Sequence, residues 1–354
     1  MFKKTISLLL ALAMTVSVSS VSFAEEDTRG DFVFGYSVGS TDPASGAYAW
    51  TCMRYGVGEA LFKIDDNMNV VNNLVCDYSL AEDQLTWTFE LRDDVLFHNG
   101  KSMDAAAVKA CLERTTELQP RADGELKIAS MEADGYTLTV TTREPNPTLI
   151  NSLCDPFACI IDVEAGTDFD TAAVGTGPFM VTEFHEDDRV ELDAFDDYWG
   201  GKPASKHVTI KDIGDLDAMS LALQNGEIDA AYGLPYDALD IFGNNDQFKV
   251  SQTATSRVYM LYFNLEHEFV NDPVFRKAIC MAVDKESYGA ILINGAGTPT
   301  KATFPNSASF GDDALMTDVP DYDPEGAKAL LAENGYVDSD GDGILDKDGK
   351  KVSL

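Results

Sequence analysis

Thr86-Trp-Thr-Phe-Glu-Leu-Arg-Asp-Asp-Val-Leu-Phe-His-Asn-Gly-Lys-Ser-Met-Asp-Ala-Ala-Ala-Val108 is the stretch whose reading decides the fold. Trp87, Phe89 and Leu91 alternate with Thr86, Thr88, Glu90 and Arg92, the period-two pattern of a strand that buries one face. Asn99-Gly100 marks a tight turn, and Ala105 to Leu112 has the composition of a helix entered from Ser102 or Asp104 as N-cap. The block is strand, turn, helix. None of its residues has to touch a ligand for this pattern to arise, and His98, beside the turn, reads as a local hydrogen-bonding group and not as a metal ligand.

The pattern continues on both sides. Asp31 to Val38 reads as a strand with Phe32, Phe34 and Tyr36 on one face, followed by the loop Gly39-Ser-Thr-Asp-Pro43 and a helical stretch from Ala47 to Phe62. Gly135 to Thr142 alternates again and is stopped by Pro145 and Pro147, after which Thr148 to Leu153 restarts as a helix. Beyond Gly175-Thr-Gly-Pro-Phe179, strands are expected over Phe179 to Phe184, Val190 to Phe195 and Val208 to Ile213, with a helix over Leu216 to Asn225. Arg257-Val-Tyr-Met-Leu-Tyr-Phe-Asn264 is almost continuously apolar and aromatic, as for a strand buried on both faces. Helices follow over Asp272 to Lys285, with Pro273 in its first turn, and Pro324 to Asn334.

The N-terminus has the three parts of a secretory leader: the basic pair Lys3 and Lys4, an apolar run from Ile6 to Val18, and the small-residue site Ser22-Phe-Ala24 before Glu25. Export with a mature N-terminus at Glu25 is expected. The apolar run is shorter than the roughly 20 residues of a membrane span, and no later segment approaches that length. At 354 residues the chain is long for one core, so two lobes, or one lobe and part of another, are expected. With 60 acidic against 26 basic residues the formal charge is −34, which argues against nucleic acid or an anionic membrane as partner and serves solubility. The cysteines Cys52, Cys76, Cys111, Cys154, Cys159 and Cys280 lack the dense spacing of a disulfide scaffold, so mostly buried thiols are expected. Cys154-Asp-Pro-Phe-Ala-Cys159 is the close pair, either a strand with two core-facing residues or a small disulfide loop.

The Thr86–Val108 block, Gly175-Thr-Gly-Pro-Phe179, Asp196-Asp-Tyr-Trp-Gly200, Gly226-Glu-Ile-Asp-Ala230 and the Asp272–Lys285 helix together resemble the signature elements of the bacterial extracellular solute-binding proteins of family 5, which serve ABC importers of peptides and nickel chelates. The resemblance extends over essentially the whole mature sequence. It implies an α/β fold of two lobes, the enlarged class II periplasmic-binding type with an extra subdomain, closing on its ligand by a hinge. Residues 1–24 would be the leader, 25–258 lobe one with an inserted subdomain near 64–175, and 259–354 lobe two. Family members run on past a point equivalent to Leu354, so lobe two is expected to be incomplete, and residues 25–354 alone are expected to bind no ligand tightly. The expected location is the periplasmic space or the outer face of the cytoplasmic membrane. Gram-positive relatives usually carry a lipobox cysteine at the cleavage point, whereas here no cysteine precedes Cys52.

What the resemblance implies for function is capture of a short peptide, or alternatively of a nickel chelate, and delivery to an ABC permease by a monomeric, cofactor-free protein that is not an enzyme. The first loop lines the family's cleft and here supplies Tyr48 and Trp50 for stacking; Tyr259 is a third stacking candidate, and Gly175 and Thr176 are candidates for polar contact. Nickel-binding relatives place a chelator-holding arginine where Arg121 lies here, in a Pro-Arg-Ala-Asp-Gly loop after a helix ending near Leu118, although the second arginine they use has no counterpart in Leu153-Cys-Asp-Pro-Phe157. Asp338, Asp340 and Asp342 occupy positions one, three and five of a calcium-loop pattern whose twelfth position is Gly349, which removes the strongest ligand and leaves at most weak calcium binding. A secreted hydrolase is the rival reading; it gains little from a sequence without His-Glu-x-x-His and with His98, His185, His207 and His267 spread singly.

Overall fold

The computed structural model describes residues 29–45, 49–253, 255–306 and 311–354, so the expected leader and Tyr48 lie outside the described residues. From the N-terminus run β1 (Asp31–Tyr36), α1 (Ala49–Arg54), β2 (Glu59–Ala60), β3 (Phe62–Ile64), β4 (Val70–Asn72), β5 (Val75–Leu80), β6 (Thr86–Leu91), α2 (Ala105–Leu118), α3 (Pro120–Leu126), β7 (Ile128–Asp134), β8 (Thr137–Thr142), α4 (Leu149–Ser152), β9 (Cys159–Ile160) and α5 (Phe169–Ala172). Then come β10 (Phe179–His185), β11 (Arg189–Ala194), β12 (His207–Asp212), α6 (Leu216–Asn225), β13 (Ala230–Ala231), α7 (Leu239–Gly243), α8 (Pro273–Ala282), α9 (Lys285–Ile291), α10 (Pro324–Glu333) and the hairpin β14 (Asp346–Lys347) with β15 (Lys350–Lys351).

The signature block folds as its alternation requires. Trp87, Phe89 and Leu91 point inward from β6, which lies inside the antiparallel sheet β5-β6-β8-β7. Asp104 is the N-cap of α2, its carboxylate accepting from the Ala107 N–H at 2.9 Å, and the helix lays Ala105, Val108, Cys111 and Leu112 against the core. The main sheet has the order β10-β11-β12-β1-β13. Its β10, β11 and β12 form an antiparallel meander, while β12 and β13 flank β1 in parallel, with Phe34 paired to Ile210 on one side and Ala230 on the other. The carboxyl ends of three parallel strands therefore open side by side, the place where open α/β sheets take their ligands. One large core joins the two sheets, and a separate small cluster of Phe269, Val270, Phe275 and Tyr336 holds α8 and α10 together.

Four expectations need correction. The helix expected over Ala47 to Phe62 ends, among the described residues, at Arg54, because the N–H groups of Val57 and Gly58 both turn back to the Cys52 carbonyl and Gly56 adopts φ +70°. Arg257 to Asn264 is not a strand and is not buried: no described strand lies beside it to take its backbone groups, and Tyr259 is 77% exposed. Arg121 sits on α3, not in a loop. Cys154 and Cys159 do not share a strand, since Cys154 follows α4 and Cys159 opens β9, and both thiols are free.

Candidate functional site

The family-like motifs meet in one buried knot. The loop Gly175-Thr-Gly-Pro178 lies against Gly56-Val-Gly58: Gly177 N–H donates to the Val57 carbonyl at 2.9 Å, and Phe179 N–H to the Gly56 carbonyl at 3.0 Å. A Cβ on Gly175 would fall 1.9 Å from the Val57 oxygen, so only glycine fits. His98 clasps the same loop, accepting at Nδ1 from Gly175 N–H (3.3 Å) and, in the tautomer this requires, donating from Nε2 to the Gly177 carbonyl (3.0 Å). Burial lowers its pKa to about 4, which keeps the ring neutral. Next to it the Glu59 carboxylate accepts from Trp199 Nε1 (2.9 Å), Tyr198 OH (2.9 Å) and Thr176 Oγ1 (3.1 Å), and burial pushes its pKa up while these bonds pull it back. The N–H and carbonyl of Gly175 and the hydroxyl of Thr176 are thereby bonded inside the protein, and Thr176 is fully buried.

A second site opens at the carboxyl end of β1. Trp50 and Arg54, one turn apart on α1, lie on the same helix face, and the Arg54 guanidinium carbon stands 5.1 Å from the Trp50 ring centre, 5.4 Å from Tyr36 and 5.7 Å from Tyr232. Tyr36 ends β1, Tyr232 follows β13, and their rings meet edge to face at 6.0 Å. Arg54 donates to the Tyr36 hydroxyl, and among the described residues no carboxylate lies within ion-pair distance of it. Trp50 (47% exposed) and Tyr232 (57%) leave the guanidinium open to solvent. The cluster extends through Tyr236, whose hydroxyl pKa is raised chiefly by the neighbouring Tyr259 side chain and also by proximity to Tyr232. A planar donor fork framed by aromatic faces is suited to a carboxylate presented beside an apolar group.

Comparison with known proteins identifies the family. Residues 69–354 match the bacterial extracellular solute-binding proteins, family 5 (middle region). The chain belongs to this family. It is 29% identical over 285 residues to the nickel-binding protein NikA of Staphylococcus aureus, covering 80% of this chain and 57% of that protein, and 30% identical over 293 residues to the glutathione-binding protein GsiB of Salmonella paratyphi A, covering 79% and 56%. The chain thus spans little more than half the length of these curated relatives. Among solved structures, NikA of Brucella suis in complex with Fe(III)-EDTA superposes with a TM-score of 0.81 at 27% identity, covering 91% of this chain and 67% of that one. The oligopeptide-binding protein AppA of Bacillus subtilis, in complex with a nonapeptide, gives 0.70 at 25% identity, covering 91% and 67%. The family is extracytoplasmic and its members named here are binding proteins; no helix among the described residues is long and apolar enough to cross a membrane.

Of the residues singled out from the sequence, Trp50 and Tyr259 belong to the Arg54 cluster, and Tyr48 lies outside the described residues. Arg121 is elsewhere: it pairs with Glu125 at 2.8 Å and Asp155 at 2.5 Å, its guanidinium 5.2 Å from the Phe157 ring, so the chain's own carboxylates occupy it. In the calcium-like loop, Asp338, Asp340 and Asp346 converge, whereas Asp342 and Asp340 both pair with Lys351 and Asp338 accepts from the Gly341 and Gly343 N–H groups. Arg54 escaped the sequence reading, although its place four residues after Trp50 on a helix was a usable signal. So did Gly35-Tyr-Ser-Val-Gly39, which has the spacing of a nucleophile elbow. Ser37 leads from β1 into a loop instead of a helix, its carbonyl accepts from Tyr55 OH at 2.7 Å, and among the described residues no histidine is hydrogen-bonded to it.

Proposed function

We propose that this protein captures a small carboxylate-bearing solute outside the membrane and hands it to an ABC permease, acting as a binding protein without cofactor or catalysis. The observation that carries the reading is Arg54: a guanidinium held among three aromatic rings with no carboxylate partner among the described residues, in a chain whose net charge is −34. With acids so abundant, an arginine that pairs with none of them is reserved for an acid that arrives from outside. Asp212, paired in register with Tyr36 at the end of β12, offers the opposite charge nearby, so a zwitterion such as a short peptide is the preferred ligand. A nickel chelate is the second reading, favoured by the nickel-binding relatives and compatible with the same arginine holding a chelator carboxylate.

Native mass spectrometry of the exported protein should identify the bound solute, and calorimetry should then compare wild type with Arg54→Ala. A loss of about 10- to 100-fold in affinity is expected for a charge-assisted pair worth roughly 1.5–3 kcal/mol. Affinity unchanged in Arg54→Ala would remove Arg54 from the site. Binding that requires added nickel would move the ligand to the metal-chelate class.

A further inference from the structure

Two of the buried cysteines lie where a covalent link would fix the helix that carries Trp50 and Arg54. Cys52 is in the middle of α1 and Cys159 opens β9; both are fully buried, and α1 packs directly on β9. Gly58 reports how close the sulfurs are. A methyl group built there would stand 2.7 Å from Cys52 Sγ, 3.2 Å from Cys159 Cβ and 3.8 Å from Cys159 Sγ, so both sulfurs border one space that the missing side chain leaves to them. The neighbouring Cys52 side chain, together with burial, holds the Cys159 thiol well above the ordinary range. The third buried thiol, Cys111, is engaged with backbone, lying 3.5 Å from the Cys159 carbonyl and 3.4 Å from the Ile161 nitrogen.

We propose that Cys52 and Cys159 join as a disulfide when the chain folds in an oxidising extracytoplasmic compartment, tying α1 to β9. The oxidant is a disulfide, either small-molecule or that of a thiol–disulfide oxidoreductase. The Cys52 thiolate attacks one oxidant sulfur, and the other leaves as a thiolate that takes up a proton. The Cys159 thiolate then attacks the Cys52 sulfur of the mixed disulfide and expels the second oxidant thiolate. Two electrons pass from the cysteine pair to the oxidant, two protons go with them, and one Sγ–Sγ bond forms as the oxidant's bond breaks. Exchange belongs to folding, before the core closes, because in the native protein both sulfurs are fully buried away from solvent and oxidant. The link is independent of which solute the Arg54 cluster takes.

The test is to refold the full chain with oxidised glutathione, block remaining thiols under denaturing conditions, and map the digest by mass spectrometry without reduction. Of the six cysteines, the two joined ones should resist blocking and four should react. A Cys52–Cys159 peptide pair, two hydrogens lighter than the separate thiol peptides, is the expected species. The apparent Tm of the oxidised form should exceed that of the reduced form by about 5–10 °C, as for closure of a loop of roughly 100 residues. Cys111→Ala should leave the linked pair in place, whereas Cys159→Ala should abolish it. Six reactive thiols after oxidative refolding, or a link from Cys159 to Cys111 in place of Cys52, would overturn the proposal. The peptide map is made on the wild-type chain, so it decides the question even if a variant fails to fold.

Discussion

Glu59 and Arg54 each place one charged group among aromatic side chains, yet they are built for opposite ends. Glu59 is walled in and receives hydrogen bonds from Trp199, Tyr198 and Thr176, so its charge is answered within the chain. Arg54 meets ring faces and one tyrosine hydroxyl, and its remaining donors are left for something else. The Glu59 knot draws His98, the Gly175–Phe179 loop, Tyr198 and Trp199 from three of the family-like motifs, whereas the Arg54 cluster is made of residues outside those motifs. The glycines of the 175–178 loop and His98 fasten that loop to the segment after α1 and to the β6–α2 block.

The strongest way to break the comparison is to attack the knot. In Gly175→Ala the new Cβ would lie 1.9 Å from the Val57 oxygen and 2.6 Å from its carbonyl carbon, backbone atoms with no rotamer to yield, so a loss of about 4 kcal/mol or more is expected. Denaturant unfolding with a wild-type midpoint would show that the loop and Gly56-Val-Gly58 can part at little cost. Next comes Glu59→Ala, which strands three donors; at about 1–3 kcal/mol each, partly repaired by water, the expected loss is about 3 kcal/mol. Glu59→Gln should recover more than half of it. The sign of the pH effect follows from the raised carboxyl pKa: the wild type's margin over Glu59→Gln is greatest below the unfolded value near pH 4.3 and shrinks as pH rises through the folded value. A margin that grows with pH would mean that the ionised form is the one the knot favours.

Local pattern carried much of this structure to the surface of the sequence. The alternation of Trp87, Phe89 and Leu91, the Asp104 cap and the Leu216–Asn225 helix could be read directly, because burial period and capping chemistry act over a few residues. The main sheet could not, since β1 finds its parallel partners β12 and β13 only some 175 to 200 residues later, and nothing local encodes that pairing. The same limit explains the site. Trp50 was legible as an aromatic in the first loop, but its neighbour Tyr232 arrives through β13, and Arg121 looked available because Asp155, 34 residues on, is an unremarkable acid until the fold brings it within 2.5 Å.

A contrast between the two arginines sharpens the comparison at smaller cost. Arg121→Ala removes two exposed ion pairs and should cost about 0.5–1 kcal/mol in stability, with ligand affinity unchanged. Arg54→Ala gives up exposed ring contacts and the bond to Tyr36, so it should cost about 1 kcal/mol in thermal unfolding, while its affinity falls by more. The reverse pattern, Arg121 governing affinity and Arg54 stability, would transfer the carboxylate clamp to α3 and leave the aromatic cluster as packing.

The smallest effect tests a third arrangement, a charge that is both exposed and paired. His207 on β12 stands between Asp193, 2.7 Å from Nδ1, and Glu191, 3.0 Å from Nε2, and its pKa is raised chiefly by the hydrogen bond to Asp193, opposed by desolvation and assisted by the bond to Glu191. A histidine whose folded pKa exceeds its unfolded value stabilises the protein fully below about pH 6.5, and that contribution fades as pH climbs through the folded value. Because the ring is solvent-accessible, screening holds the gain to a few tenths of a kcal/mol up to about 1. His207→Gln should therefore lower Tm at about pH 5.5 and leave it nearly unchanged at about pH 8.5. An equal loss at both pH values would assign the role of His207 to neutral hydrogen bonding, leaving no part for its charge in holding β11 to β12.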